Sequence, residues 1–296
     1  MTNTDEGALL HRLRVAPLGL LPEDGLVLDL GRGSAAVTVT RDGWRVSTAD
    51  TSSPGFLRTP ATEFMPVPVP GGSLTELRQL LNVGAQDWTT VKTWLLAALL
   101  PDINRPALVI SGPQRSGKTV ALTLLEDLID PGSRSRRLPE GKNEWTAARG
   151  VARVVGFDDV SHLLDWQSDA LCAAATSRVM SRCGVEESLP VGAYDRAFIL
   201  SGHLTLDEMR PDLWERTVAV ELPQLAELRP ESELWEAWFE ARPRILGALL
   251  DLLVAVLGAL PSVREKANRG KIPAPRVTDY DLVLLALNAT SGDRAD

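Results

Sequence analysis

The sequence predicts an α/β protein: a three-layer core, a helical lid at the C-terminus and a small β-rich region at the N-terminus. Three observations predict it. Ala107-Leu108-Val109-Ile110 reads as a short buried strand, and it enters a glycine-bearing loop that opens a helix at Val120 to Leu125. Val154-Val155-Gly156-Phe157 and Ala197-Phe198-Ile199-Leu200 are further apolar runs of strand length with polar tips. Beyond Gln224 the chain turns to helical periodicity.

Three stretches follow from this reading, at 1–72, 73–224 and 225–296. In the first, Gly25 to Leu30 and Ala35 to Thr40 flank a Gly31-Arg32-Gly33-Ser34 turn, and Asp42-Gly43 marks a second hairpin. Asp29-x-Gly31-x-Gly33 has two readings: hairpin glycines, or a phosphate loop of the actin-like kind. Pro54 to Gly72, rich in Pro and Gly, reads as a linker crossing the surface. Ser73-Leu74-Thr75-Glu76 fits a capping box, with Leu74, Leu77, Leu80 and Leu81 on one face of the helix it starts. A second helix runs from about Asp87, striped by Trp88, Val91, Trp94, Leu95, Ala98 and Leu99, until Pro101 and Pro106 end it.

The loop after the first core strand is Gly112-Pro113-Gln114-Arg115-Ser116-Gly117-Lys118-Thr119. It meets the phosphate-binding pattern G-x-x-x-x-G-K-[ST] at every fixed position. A strand feeding such a loop into a helix aims backbone N–H groups and the positive helix end at phosphate. Lys118 then reaches the β- and γ-phosphates, and the Thr119 hydroxyl holds Mg²⁺. An ordinary strand–turn–helix is the alternative the eight residues alone leave open.

Phe157-Asp158-Asp159 ends the next strand in two carboxylates, the form of a Walker B element. Asp158 is the candidate for the Mg²⁺ water shell, and Asp159 for orienting and deprotonating the attacking water. A strand ending in a solvated Asp-Asp turn is the plainer reading. In ring ATPases the third strand lies between these two and its tip contacts the attacking water or γ-phosphate. Ser201 is the candidate tip residue here and His203 the reserve. Arg216, just before the strand Thr217 to Leu222, is the first choice for an arginine finger, and Arg210 the second. A local Asp212–Arg216 pair on a short helix is the competing reading.

In the last stretch Leu234, Trp235, Trp238 and Phe239 form one helical stripe, and Ile245 to Leu260 a largely buried helix. Arg244 opens that helix, either as a second γ-phosphate contact or as a solvated helix-start residue. The apolar run holds Asp251 and is short for a bilayer span, which needs roughly 20 residues. Two basic clusters could face nucleic acid: Arg134, Arg136, Arg137 and Lys142, then Arg178 and Arg182. The tail residues Arg264, Lys266, Arg269, Lys271 and Arg276 are basic too, and each cluster has a solvated-loop reading.

The net charge of −8 over 296 residues argues against blanket nucleic-acid binding. Cys172, Cys183, His11, His162 and His203 offer no zinc spacing and no disulfide framework. No secretory signal is apparent at the N-terminus, so a cytoplasmic protein without a membrane partner is expected.

Between Gly43 and Leu287 the landmarks resemble the P-loop ATPases of actinobacterial phages and integrated elements, relatives of superfamily-3 replicative helicases. The resembling pieces are Gly43-Trp44-Arg45-Val46, Pro70-Gly71-Gly72, the phosphate loop and Phe157-Asp158-Asp159-Val160-Ser161. Ser168 to Cys172 with Ala175-Thr176, Ile199-Leu200-Ser201-Gly202, Arg210 to Leu213 with Arg216, and Pro243 to Asp251 complete the set. The resemblance implies an AAA+-like P-loop NTPase core, ATP and Mg²⁺ as cofactors, and a homo-oligomeric ring, hexameric in form. Members commonly carry Asp-Asn at Asp158-Asp159 and Asn at Ser201, two departures that bear on hydrolysis. The primase module that often accompanies such ATPases is not seen, which implies a separate primase, nuclease or effector protein as partner.

Two functions compete at this level. One is a helicase-like motor or loader on single-stranded DNA in mobile-element replication. The other is an ATP-driven assembly switch or anti-phage defence ATPase that does not act on DNA. A small-molecule kinase is disfavoured, since no acceptor pocket is evident.

Overall fold

Alternating apolar residues fold the N-terminal stretch into an antiparallel sheet of β1 (Val15–Pro17), β2 (Leu26–Asp29), β3 (Ala35–Thr40) and β4 (Gly43–Thr48), in that order. The structure is a computed structural model that describes residues 14–18, 22–48, 56, 58, 62–133, 136–149, 152–175, 196–204, 209–270 and 278–292. Leu26, Leu28, Val37 and Val39 are buried on one face of the sheet. Thr40 pairs with Gly43 across the Asp42-Gly43 hairpin, where Gly43 takes φ +145. The Asp29 carboxylate accepts from the Gly31 amide at 2.9 Å and is gripped by Arg58 at 2.6 and 2.9 Å. Asp29-x-Gly31-x-Gly33 is therefore a hairpin device, with its carboxylate committed inside the sheet.

The described part of the linker is a strap rather than a loose tether. Met65 is fully buried and its amide donates to the Leu30 carbonyl at 3.0 Å. The Glu63 amide donates to Pro131 at 3.2 Å, and the Val69 amide to Pro243 at 2.9 Å. Gly72 and Gly247 are glycines by necessity. A Cβ on the first would stand 2.1 Å from the Arg244 carbonyl oxygen, and on the second 1.9 Å from that of Val69.

Helix α1 (Leu74–Leu81) starts at Ser73, whose hydroxyl accepts from the Thr75 amide at 3.1 Å. The capping box is half made, because the Glu76 carboxylate leaves it for Arg244 at 2.8 Å. Helix α2 (Trp88–Leu99) is buried on every side from Thr93 to Leu99. Two buried guanidiniums satisfy carbonyls at its C-terminus: Arg105 donates to Ala97 and Leu100, Arg153 to Ala98 and Leu100.

The core sheet follows: β5 (Ala107–Ser111), α3 (Lys118–Ile129), α4 (Lys142–Arg149), β6 (Val154–Val160), α5 (Asp165–Ala175), β7 (Ala197–Gly202), α6 (Pro211–Trp214) and β8 (Thr217–Glu221). Its strands lie parallel in the order β6-β7-β5-β8, so β7 sits between the phosphate-loop strand and the Asp-Asp strand, as expected. Leu108 and Ile110 join α2 and α3 on one face, whereas Ala107 and Val109 join Trp145, Phe157 and Leu213 on the other. Helices on both faces of a parallel sheet make the three layers.

The C-terminal part departs from expectation in its joints. α7 (Glu231–Asn268) is one 38-residue helix that carries Pro243 and Pro261 in its interior. Arg244 therefore lies mid-helix and opens nothing. An i−4 hydrogen bond is forfeited at each proline, and packing on α1, α3, α8 (Thr278–Gly292) and the N-terminal sheet keeps the helix continuous. Over half of its most apolar 18-residue window is buried in the protein, 56%.

Candidate functional site

Every strand of a parallel sheet ends on the same side, so β5, β6 and β7 deliver their polar tips to one edge. At that edge Gly112 takes φ +141, and a Cβ there would stand 2.4 Å from the Leu222 carbonyl oxygen. Gly117, at φ +88, turns the chain into α3. Arg115 adopts φ +62 and its carbonyl accepts from the Leu225 amide at 3.2 Å. These backbone positions bend Gly112 to Thr119 into a cradle. Pro113, Gln114 and Arg115 are exposed on its outside, while Ser116 is buried inside it.

Lys118 curls back over the cradle and its ammonium donates to the carbonyls of Gly112 and Pro113, each at 2.9 Å. The Ser116 hydroxyl is fully buried and has no hydrogen-bond partner among the described residues. Thr119 stands exposed on the first turn of α3. An orphaned buried hydroxyl, a cationic amine and a helix start around one concavity suit a phosphate chain with a hard cation beside it.

Asp158 and Asp159 occupy an irregularity in β6. Phe157 pairs with Leu200 and Val160 with Gly202, so two residues of β6 oppose Ser201 alone. The bulge puts Asp159 at φ +58, a left-handed conformation aspartate tolerates, and leaves it exposed at the rim. Asp158 is half-buried and its carboxylate accepts from the Ser201 hydroxyl. Ser201 is itself 1% exposed and pairs with Ile110 of β5. His203 is exposed and lines a 690 Å³ cavity with Asp87, Pro113 and Glu221.

The two arginines expected near β8 have different surroundings. Arg210 is bound to Asp169 at 2.9 Å and Asp212 at 3.3 Å, with Asp165 at 3.9 Å, and these carboxylates raise its pKa. It joins α5 to the start of α6. Arg216 is half-buried and donates to the Asp212 backbone carbonyl at 2.5 Å. The expected local pair with Asp212 is thus made through the main chain. Arg244 bridges Glu76 at 2.8 Å, which ties α7 to α1.

Of the basic clusters, Arg134, Arg178, Arg182, Lys271 and Arg276 lie outside the described residues. Arg136 extends the core sheet: its amide donates to Gly156 at 3.1 Å and its carbonyl accepts from Asp158 at 2.9 Å. Arg137 and Lys142 are exposed beside it. In the tail, Arg264 pairs with Glu23 and Arg269 with Glu265.

Sequence reasoning missed Asn82, Glu126 and the segment after β8. Asn82 ends α1 at φ +53, and its amide nitrogen donates to Ser116 at 3.1 Å and Pro223 at 2.7 Å. The signal was present, since Asn is a favoured left-handed residue at helix ends. This staple holds one wall of a 750 Å³ cavity beside the loop, lined by Leu80, Arg115, Val120, Leu225, Leu228 and Leu234 among others. Its leucines and Val120 offer an apolar wall to a planar base next to the phosphate cradle, and Gln79, Glu227, Arg229 and Glu233 add polar groups to the lining. Glu126 lies fully buried in α3 and accepts from the Gly156 amide at 2.6 Å and the Ser133 hydroxyl at 3.1 Å. Burial pushes its carboxyl up to about 7, against the pull of those donors and of Arg136.

The sequence profile of the actinomycete integrative conjugative element replication proteins matches residues 74–289. No curated protein matches the chain. Among solved structures, the SCCmec type IV Cch active helicase aligns with a TM-score of 0.45 at 12% identity, over 87% of this chain and 55% of that one. The JCV helicase aligns with a TM-score of 0.34 at 16% identity, over 75% and 62%. The apo NrS-1 C-terminal region aligns with a TM-score of 0.43 at 13% identity, over 87% and 81%. The chain thus spans little more than half the length of the first of these.

Proposed function

The chain belongs to the actinomycete integrative conjugative element replication proteins, and on that premise we propose that it is an Mg²⁺-dependent ATPase, a helicase-like motor or loader on DNA. The observation that carries the reading is the cradle itself. Lys118, the buried Ser116 hydroxyl and the Gly112 and Gly117 turns surround one concavity, with Asp158 and Ser201 on the neighbouring strands.

In this reading the loop amides and Lys118 bind the triphosphate, exchanging the carbonyls of Gly112 and Pro113 for phosphate oxygens. Thr119 and Asp158 hold the Mg²⁺, whose charge offsets that of the phosphates. Asp159, exposed at the bulge, orients and deprotonates the attacking water. The adenine lies in the apolar cavity behind Asn82, and Arg216 serves a neighbouring copy in a homo-oligomeric ring. Arg137 and Lys142 meet single-stranded DNA, with a separate primase or nuclease supplying the rest of replication, in the cytoplasm.

The test is ATP turnover by the purified protein, with its assembly state followed by light scattering. We expect ATP to promote assembly, single-stranded DNA to raise turnover, and Arg137→Ala to remove that rise. Lys118→Ala should weaken ATP binding by about a hundredfold or more, the loss of a charge-assisted contact to phosphate in a partly desolvated site. Turnover that responds to protein concentration and ignores DNA would favour the assembly switch. Absence of ATP binding by folded wild-type protein would end both readings.

A further inference from the structure

Ser201 has one hydroxyl proton, and the Asp158 carboxylate lies within hydrogen-bond reach of it. Ionised aspartate is an acceptor only, so in the contact between them Ser201 donates and Asp158 accepts. The bulge in β6 enforces that pairing, because it sets Ser201 alone across from Asp158 and Asp159. Ser201 is 1% exposed and its backbone is held by pairing with Ile110, so only rotation about χ1 could carry the hydroxyl away, and that would give up its contact with Asp158. A phosphate oxygen offers no proton in return, and a hydroxyl whose donor is committed meets it lone pair to lone pair.

We infer that Ser201 is a positioning residue that fixes the Asp158 carboxylate for its cation and makes no donor contact to the γ-phosphate. This rests on the nucleotide and Mg²⁺ reading above, and it reverses the role first expected of the β7 tip. Asp158 is then held from two sides: its amide by the Arg136 carbonyl, its carboxylate by Ser201. The side chain that would otherwise choose among rotamers arrives at the cation already oriented, which lowers the entropy cost of binding the metal.

The experiment is calorimetry of the full chain with AMP-PNP and with ADP, each in the presence of Mg²⁺ and of a chelator. Wild type should bind AMP-PNP more tightly with Mg²⁺. Ser201→Ala should cut that Mg²⁺ enhancement about tenfold, the worth of one hydrogen bond to a charged group. Its metal-free affinity and its AMP-PNP-to-ADP ratio should stay at wild-type values, and Ser201→Thr should restore the enhancement. A reduced AMP-PNP-to-ADP ratio with intact Mg²⁺ enhancement would overturn the inference, and so would failure of Ser201→Thr to rescue. If Ser201→Ala does not fold, Ser201→Cys, a weaker donor of similar shape, must give an intermediate Mg²⁺ enhancement; a wild-type value overturns the proposal. Wild-type protein that binds neither nucleotide would instead sink the reading beneath it.

Discussion

Three side chains decide most of the local chemistry, and each is read from its partners. Among the described residues Arg216 gives one hydrogen bond, to a backbone carbonyl, whereas Arg210 is surrounded by three carboxylates. Arg216→Ala should therefore lower ATP turnover by about 10³, the worth of an arginine finger. Arg210→Ala should leave turnover within about twofold. Equal losses in a steady-state assay of the two variants would contradict the assignment.

Glu126 carries a pH dependence. Its folded-state pKa, about 7, lies above the ordinary 4.5, so between those values the folded protein holds a proton that the unfolded chain releases. Stability falls as pH rises through that window and stays lower above it, by about 3 kcal/mol. Glu126 Oε2 has no partner among the described residues, consistent with a neutral acid at the low end. The charged and polar groups around it are Arg136, Asp130, Ser133 and the Gly156 amide. In urea unfolding, Glu126→Gln should be more stable than wild type at pH 8 and gain nothing at pH 4.5. A gain of the same size at both pH values would refute the cause.

At the scale of elements, the loop and its strand were legible because the motif's glycines set backbone geometry and its Lys118 and Thr119 follow at fixed positions, both of which spacing encodes. The same holds for β6 and β7, whose apolar runs mark buried parallel strands. What the pattern could not reveal is the bulge at Asp158-Asp159, which depends on the register with β7. Nor could it reveal Asn82, whose partners lie 34 and 141 residues away. Asn82→Ala removes the two hydrogen bonds that join the end of α1 to Ser116 of the loop and to Pro223 after β8, and should weaken ATP binding about tenfold with a small change in unfolding midpoint. A calorimetric Kd equal to wild type would show that the staple is idle. The capping box at Ser73 was half right for a similar reason, since long-range Arg244 outcompetes the local amide for Glu76.

Taken as a whole, the larger of the two clusters of buried apolar residues among the described residues runs from Val15 and Leu28 through Trp94 and Leu124 to Leu249 and Leu287, and so joins the N-terminal sheet to the core. Buried Arg14 adds a polar bolt, held by Asp130 at 2.8 Å and by the carbonyls of Asp29, Glu63 and Pro131. A shared core predicts a single cooperative unfolding transition in calorimetry, without a separate step for the N-terminal sheet. Arg14→Ala should shift that one transition, at a cost of about 3–5 kcal/mol, because it strands a buried carboxylate. Two resolved transitions would show that the sheet and the core fold independently. None of this was legible from composition, since Arg14 precedes the first strand and nothing local marks it for burial.

One consequence belongs to α7. It starts at the cavity beside the phosphate loop, where Glu233 and Leu234 are wall residues, and runs about 57 Å to the N-terminal sheet. On the way it is fastened by Asp127 to Trp238 and Arg242, by Glu76 to Arg244, by Val69 to Pro243, by Trp44 to Asp251 and by Glu23 to Arg264. A rod pinned at so many stations has no elbow. In the proposed ring, a tilt at the end beside the phosphate loop would swing the distant tip with the whole subunit, and a stroke would be delivered where one protomer abuts the next.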